Sequence, residues 1–182
     1  TLKDSAEQRQ EGRLSVPVVK EPIQITLVPE NKILVAGVEN RLYIATGTPD
    51  GDTLKEASLT ITNSHNAEKK TTLKTDALGI ATYTFTPNDK PLQIKVQAQD
   101  AKGRTANAEI NLAAQPNVPG IILRVDKPLA KVGDNLTLSV LSSQKGGTLY
   151  VDVIRDRQTV LTHAQPMEGG SGTLRLPVTQ DM

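Results

Sequence analysis

The chain has 182 residues and a formal net charge of +1, and its 21 Lys and Arg residues are interleaved with 20 Asp and Glu residues. It has no basic stripe, and with one Phe, three Tyr and no Trp it lacks the aromatic platform that nucleic-acid binding uses. No cysteine is present, which excludes a disulfide, a thiolate nucleophile and a cysteine metal site. The even charge and the few aromatic residues predict no nucleic-acid partner. No apolar run is long enough to span a bilayer, so we expect no transmembrane segment in this chain.

Apolar residues occupy every second position in most of the chain, with Thr, Gln, Lys, Asn and Glu between them. This alternation is typical of β-strands that have one buried face and one solvent-exposed face. Turn formers such as Pro49-Asp50-Gly51 and Asp100-Ala101-Lys102-Gly103 separate the alternating segments. We predict strands near 23–28, 40–46, 56–62, 69–74, 80–86, 92–99 and 105–113, and again near 121–126, 135–142, 147–155, 158–165 and 172–179.

One pattern occurs twice, at 34–44 and at 129–138. Gly37 and Gly133 are 96 residues apart, and Asn40 and Asn135 are 95 apart. A repeat of this length indicates tandem domains. We therefore predict an all-β chain of tandem immunoglobulin/fibronectin-III-like antiparallel β-sandwiches. The predicted units are a complete seven-strand sandwich at 22–115, a second sandwich at 116–182 that stops after about five strands, and the final strand and linker of a preceding domain at 1–21.

A sandwich of five strands leaves a sheet edge and an apolar face uncovered. One hypothesis is strand donation between copies, in which the apolar side of Leu14, Val16 and Val18 completes a neighbouring molecule's second domain. The other is that further chain supplies the cover. Lys69 and Lys70 lie on a segment with little apolar content, which predicts an edge strand protected by charge.

Three parts of the sequence carry a recognisable pattern: VAGVENRLYIAT (35–46) with PDG (49–51), KTDALGIA (74–81), and LRVDK (123–127) leading to VGD (132–134). In these parts the sequence resembles the macroglobulin domains of alpha-2-macroglobulin-like proteins. The resemblance implies that this chain comes from the middle of the macroglobulin array of a bacterial-type protease inhibitor. Such an inhibitor traps a protease after the protease has cut its bait region. The expected partners are neighbouring macroglobulin domains and, through the parent protein, target proteases. The implied location is extracytoplasmic: periplasmic, cell-surface or secreted.

The trap chemistry of that family is not carried by these residues, because a thioester needs a cysteine. The resemblance therefore implies a non-catalytic scaffold with no cofactor. Invasin-type bacterial immunoglobulin-like repeats also place a Thr-Asp-x-x-Gly turn before an alternating strand. The alternative function is thus a stalk or adhesion array of immunoglobulin-like repeats on a cell surface.

His65 and His163 are the two histidines that could serve in catalysis. His65 falls in a polar turn and His163 on a predicted strand, and no Gly-x-Ser-x-Gly motif accompanies either one. We predict no catalytic residues and no enzyme activity.

Two acidic groups are candidate calcium ligands: Asp50, Asp52 and Glu56, and the pair Asp100 and Asp126. Neither has the spacing of an EF-hand loop, so we interpret them as turn residues and predict no metal site. The run 168–172 (EGGSG) lacks the Lys and helix start of a phosphate cradle and predicts a hairpin loop, and the sequon Asn135-Leu136-Thr137 is interpreted as incidental.

Overall fold

The computed structural model describes residues 2–3, 9–10, 21–115 and 118–182, the first two pairs as backbone only. Its secondary structure consists of short β-strands joined by turns. The strands are β1 (Leu2–Lys3), β2 (Arg9–Gln10), β3 (Gln24–Pro29), β4 (Ile33–Leu34), β5 (Asn40–Gly47), β6 (Ser58–Asn63), β7 (Asn66–Lys74), β8 (Ile80–Phe85), β9 (Leu92–Gln99), β10 (Thr105–Ala114), β11 (Ile121–Val125), β12 (Asn135–Ser142), β13 (Thr148–Arg155), β14 (Gln158–Pro166) and β15 (Ser171–Pro177).

The first sandwich consists of a five-stranded sheet, in the order β4-β10-β9-β6-β7, and a three-stranded sheet, in the order β3-β5-β8. Alternating residues of both sheets meet in one core, as the period of two in the sequence predicts. The fully buried members include Leu42 and Ile44 from one sheet and Leu59, Ile61 and Ile94 from the other. The all-β tandem-sandwich prediction is confirmed.

Strand β4 was missed in the sequence. It contains two residues, Ile33 and Leu34, which pair in parallel with Ala113 and Ala114 of β10. Two residues carry no readable periodicity, and the partner strand is about eighty residues away. The edge position of β7 is confirmed, since β7 ends the five-stranded sheet and Lys69 and Lys70 are exposed on it.

The second sandwich consists of the sheet β11-β12-β15 and the pair β13-β14. Leu138, Leu174 and Leu176 form its buried core, against which Val151, Val153 and Leu161 pack. On β11, Ile121, Leu123 and Val125 are each about half exposed. The equivalent strand of the first sandwich, β3, packs against β10. Among the described residues, no strands of the second sandwich correspond to β9 and β10, so nothing covers this face of β11.

The short strands β1 and β2 repeat a pairing found later in the chain. Leu2 pairs with Gln10 and Lys3 with Arg9. An offset of 96 residues converts these pairs into Ala98 with Ala106 and Gln99 with Thr105, which are partners in β9 and β10. The β1–β2 pair thus reproduces the register of that hairpin's first two pairs.

The strand expected at Leu14, Val16 and Val18 lies outside the described residues. The described part of the chain contains no helix with the length and hydropathy needed to cross a bilayer.

Candidate functional site at the junction of the two sandwiches

The repeated glycine makes the same contact in both sandwiches. Gly37 and Gly133 have φ values of 75° and 95°, a region that strains residues with a β-carbon. Gly37 donates its N–H to the Pro87 carbonyl (2.9 Å), and Gly133 donates to the Val178 carbonyl (2.8 Å). Both acceptors lie just past the end of the strand that neighbours the central one, β8 or β15. The sequence repeat is therefore also a structural repeat, in which a loop is tied to the same end of a three-stranded sheet.

Asn40 holds this loop in the first sandwich. It is 3% exposed, and its side chain accepts from Val35 N (3.1 Å) and donates to the carbonyls of Val35 (2.8 Å) and Val38 (2.9 Å). Asn135 begins strand β12 as Asn40 begins β5, but it is exposed. In the second copy Asp134 ties the loop instead, since its carboxylate accepts from Lys131 N (2.9 Å).

Arg124 of β11 contacts Glu30 and Glu39 of the first sandwich. Its Nε donates to Glu30 Oε1 (2.7 Å) and its Nη2 to Glu30 Oε2 (2.9 Å), which makes a two-point contact between planar groups. Its Nη1 donates to Glu39 Oε1 (3.0 Å) and its Nη2 also to the Glu39 carbonyl (2.9 Å). Glu30 follows the last residue of β3, and Glu39 precedes the first residue of β5. We call Arg124, Glu30 and Glu39 the Arg124 clamp.

Two of the three clamp residues are largely shielded from water. The side chains of Arg124 and Glu30 are 13% and 12% exposed, whereas Glu39 is 47% exposed. The hydrogen bonds to Glu30 raise the pKa of the Arg124 guanidinium above its ordinary value, and burial opposes this rise to a smaller extent. Arginine suits such a site because its fork of donors stays charged and matches a carboxylate. Arg41 Nε lies 3.6 Å from Glu39 Oε1, so a second cation neighbours the clamp.

Gly120 brings the sandwiches together at a second place. A β-carbon on Gly120 would lie 2.8 Å from Val35 Cγ1 and 2.9 Å from Val35 Cγ2. Gly120 is also tied to the second sandwich: its N–H donates to Ser143 Oγ (2.9 Å) and its carbonyl accepts from Ser143 N (3.1 Å). A cleft of about 260 Å³ beside this contact is lined by Lys32, Val118 and Ile121, among others.

The two histidines lie in different sandwiches. His65 is in the turn between β6 and β7, half-buried, with Nε2 3.1 Å from the Pro91 carbonyl oxygen. His163 is exposed on β14, opposite Val151 of β13. The structure therefore does not bring them together.

The carboxylates of Asp50, Asp52 and Glu56 are exposed, and Glu56 has a local partner. Glu56 pairs with Lys74 at 3.4 Å, and both side chains are exposed. Asp50 and Asp52 are exposed residues of the loop after β5. The described residues contain no group of three or more His, Asp or Glu side chains placed to hold a metal ion.

Asp100 and Asp126 each accept backbone hydrogen bonds. Asp100 accepts from the N–H groups of Lys102 and Arg104 (both 2.9 Å). Burial raises the pKa of Asp100, but these bonds and the Arg104 side chain outweigh it and leave the pKa below the ordinary value. Asp126 accepts from Thr137 N (2.9 Å), and this bond lowers the pKa of Asp126. Asp100 therefore acts as a turn acceptor, as its position in the sequence predicts, whereas Asp126 ties the end of β11 to Thr137 of β12, eleven residues further on.

The glycine-rich run forms the turn between β14 and β15. Glu168 and Ser171 pair across it, and Gly169 and Gly170 have φ values of 61° and 85°. A β-carbon on Gly170 would lie 2.7 Å from the Ser142 carbonyl oxygen. The run is thus a tight hairpin packed against the end of β12, in agreement with the hairpin interpretation.

The fold defines a class: tandem immunoglobulin-like β-sandwiches. A family model described as bacterial Ig domain matches residues 15–113, which is more than half of the chain. The chain therefore belongs to the bacterial Ig domain family. No curated protein is significantly similar to it in sequence.

Several of the solved structures that match this chain are of bacterial proteins. Native Escherichia coli alpha-2-macroglobulin matches 90% of this chain at 12% identity and a TM-score of 0.43, and this match covers 15% of that protein. Salmonella alpha-2-macroglobulin reacted with methylamine matches 90% at 11% identity and a TM-score of 0.42, over 16% of its length. A 1.5-MDa bacterial ice-binding adhesin, solved to study host cell surface retention, matches 87% at 12% identity and a TM-score of 0.37, over 55% of the solved chain. This chain thus spans about a sixth of the macroglobulins it matches.

Proposed function

We propose that this chain is a non-catalytic structural unit of an extracytoplasmic multidomain array, and that the parent is an alpha-2-macroglobulin-like protease inhibitor of bacterial type. The observation that carries the array function is the repeated loop contact of Gly37 and Gly133. One structural unit is built twice in tandem, and each copy ties its loop to the same end of a sheet. The junction contacts support the same function, since they hold one copy against the next.

The assignment to a macroglobulin rests on the sequence motifs that lead into and form β5, that connect β7 to β8, and that run from the end of β11 towards β12. In this proposal the chain contributes shape, and its partners are the neighbouring domains of the parent. Target proteases are met by the parent protein as a whole.

Protease caging tests this proposal. An antibody against the 182-residue chain isolates the native parent, which is incubated with trypsin and assayed on a large protein substrate and a small peptide. We expect activity on the large substrate to be lost while activity on the peptide is retained. Unchanged activity on both substrates would count against trapping of that protease and would favour the second candidate.

The second candidate is a stalk or adhesion array of immunoglobulin-like repeats. It is favoured by membership of the bacterial Ig domain family. In this case the parent would consist of further copies of the repeat that present a distal binding module. Mass spectrometry of the isolated parent distinguishes the two: further copies of the repeat that end in a receptor-like module support the stalk, and a Cys-x-Glu-Gln peptide supports the inhibitor.

Strand donation between copies remains part of the proposal. It is motivated by the β1–β2 register, which reproduces the β9–β10 hairpin, and by the half-exposed Ile121, Leu123 and Val125 of the second sandwich. Donation predicts assembly of the 182-residue chain that grows with concentration. Sedimentation velocity checks this, and a monodisperse, well-folded monomer at every concentration would rule donation out.

A further inference from the structure

Four hydrogen bonds converge on the side chain of Arg124, and all of them cross from the second sandwich to the first. Two adjacent domains joined by a linker alone are free to rotate about it. A second attachment, away from the linker, restricts that rotation because the domains must then pivot about two points at once. The clamp is such an attachment, and Gly120 against Val35 lies where the linker meets the second sandwich.

We infer that Arg124 is the positioning residue that makes the two sandwiches one rigid body, and that breaking its bonds to Glu30 and Glu39 converts the junction into a hinge. This inference concerns the junction itself. It holds whether the parent is a protease inhibitor or a stalk, so its test is independent of the caging assay.

The acceptors of the clamp are themselves held in place. Glu30 donates its backbone N–H to the Arg41 carbonyl (2.9 Å), which ties the end of β3 to β5. Glu39 directly follows the loop that Asn40 fixes through three hydrogen bonds. Because the backbone of both glutamates is held in place, the four bonds to Arg124 fix the relative orientation of the two sandwiches as well as attracting them to each other.

Burial makes the attachment resistant to salt. Exposed ion pairs are screened over a Debye length of about 8 Å at physiological ionic strength, but partly buried pairs are screened much less. Arg124 and Glu30 are each nearly nine-tenths buried, and they are in direct two-point contact. The junction should therefore stay rigid in conditions that weaken surface pairs such as Lys74 with Glu56.

Distance distributions between spin labels measure this rigidity directly. The chain has no cysteine, so the pair Gln97→Cys and Thr159→Cys places one label on an exposed position of each sandwich. Electron–electron double resonance on the full 182-residue chain then gives the distribution of separations. We expect a single narrow peak for the otherwise unchanged chain, and the same peak at about 0.5 M salt.

Arg124→Gln removes the charge and most of the donor fork, and we expect the narrow peak to be lost. Arg124→Lys keeps the charge but cannot make the two-point contact, so we expect it to broaden the distribution as well. The matched control is Arg104→Gln, because Arg104 pairs with Asp100 (2.6 Å) inside the first sandwich. It should leave the narrow peak unchanged.

A second route keeps the test independent of how Arg124 variants fold. The double variant Glu30→Gln and Glu39→Gln leaves the second sandwich unaltered and should also broaden the distance distribution. The amide NMR spectrum of the variant reports whether both sandwiches are intact. A broad distribution in the unchanged chain, or a narrow one in the folded Arg124→Gln or double Glu variant, would overturn the inference.

Discussion

Gly120 lies so close to Val35 that an added β-carbon would come within 2.8 Å of Val35 Cγ1. Val35 is 7% exposed, and its branched side chain has few rotamers to which it can move. Its backbone is also fixed, because Asn40 bonds both its N–H and its carbonyl. This glycine is therefore required for close approach of the two sandwiches.

Gly120→Ala should weaken the junction by overpacking, with a cost of about 1–3 kcal/mol. Urea unfolding followed by fluorescence of a label on each sandwich measures the change. The double variant Gly120→Ala with Val35→Ala restores the space, so its effect should be smaller than the sum of the single effects. Strict additivity of the two substitutions would contradict the contact.

The two carboxylates of the clamp should contribute unequally. Glu30→Ala removes two charge-assisted bonds from a shielded guanidinium and should cost about 1.5–3 kcal/mol in the free energy of unfolding. Glu39→Ala removes a side chain that is about half exposed and should cost about 0.2–1 kcal/mol. Chemical denaturation of the two variants side by side gives the ranking, and an equal or reversed order would show that burial does not govern the clamp.

The repeat offers a matched pair of asparagines. Asn40→Ala leaves the buried Val35 N–H and carbonyl without their partners, and an unsatisfied buried group costs about 1–3 kcal/mol. Asn135→Ala, at the equivalent but exposed position, should change stability by less than about 0.5 kcal/mol. Thermal unfolding of the two variants tests this, and equal losses would mean that the second copy also depends on its asparagine.

The strands could be predicted from the sequence because each is a run of alternating polarity bounded by turn residues, as in β9 (Leu92–Gln99). The paired glycines also identified the loop that both sandwiches use. The clamp could not be predicted. Arg124 has the pattern of an ordinary outward residue between Leu123 and Val125, and its acceptors Glu30 and Glu39 are 94 and 85 residues away. Only the packing of one sandwich on the other brings these charges together.

The same limit applies to Asn40. Its sequence position indicated a strand start, which is correct, but a strand start at Asn135 carries no buried hydrogen bonds. Burial by the surrounding loop, rather than the residue type, gives Asn40 its role. Asp100 is the opposite case, since its donors Lys102 and Arg104 lie two and four residues away and turn chemistry of this kind is readable from a few neighbouring residues.

Asp126 should make the stability of the second sandwich depend on acid pH. Its folded-state pKa lies below the ordinary value of 3.8 because Thr137 N–H donates to the carboxylate. A carboxyl group of this kind stabilises the fold above its unfolded-state pKa, and that contribution is lost as the pH falls through the folded-state pKa. The stability of the unchanged chain should therefore decrease as the pH is lowered from about 5 to below the ordinary Asp value.

Asp126→Asn isolates this effect, because the amide oxygen can still accept from Thr137 N while the charge is gone. We expect the variant to be less stable than the unchanged chain at neutral pH, with the difference shrinking as the pH falls through the window. Urea midpoints of both chains between about pH 7 and pH 2.5 measure this, with Asp181→Asn as an exposed control in the same sandwich. Asp100 is present in every chain, so its own titration cancels in the difference. A constant difference at all pH values would show that the carboxylate charge of Asp126 does not stabilise the fold.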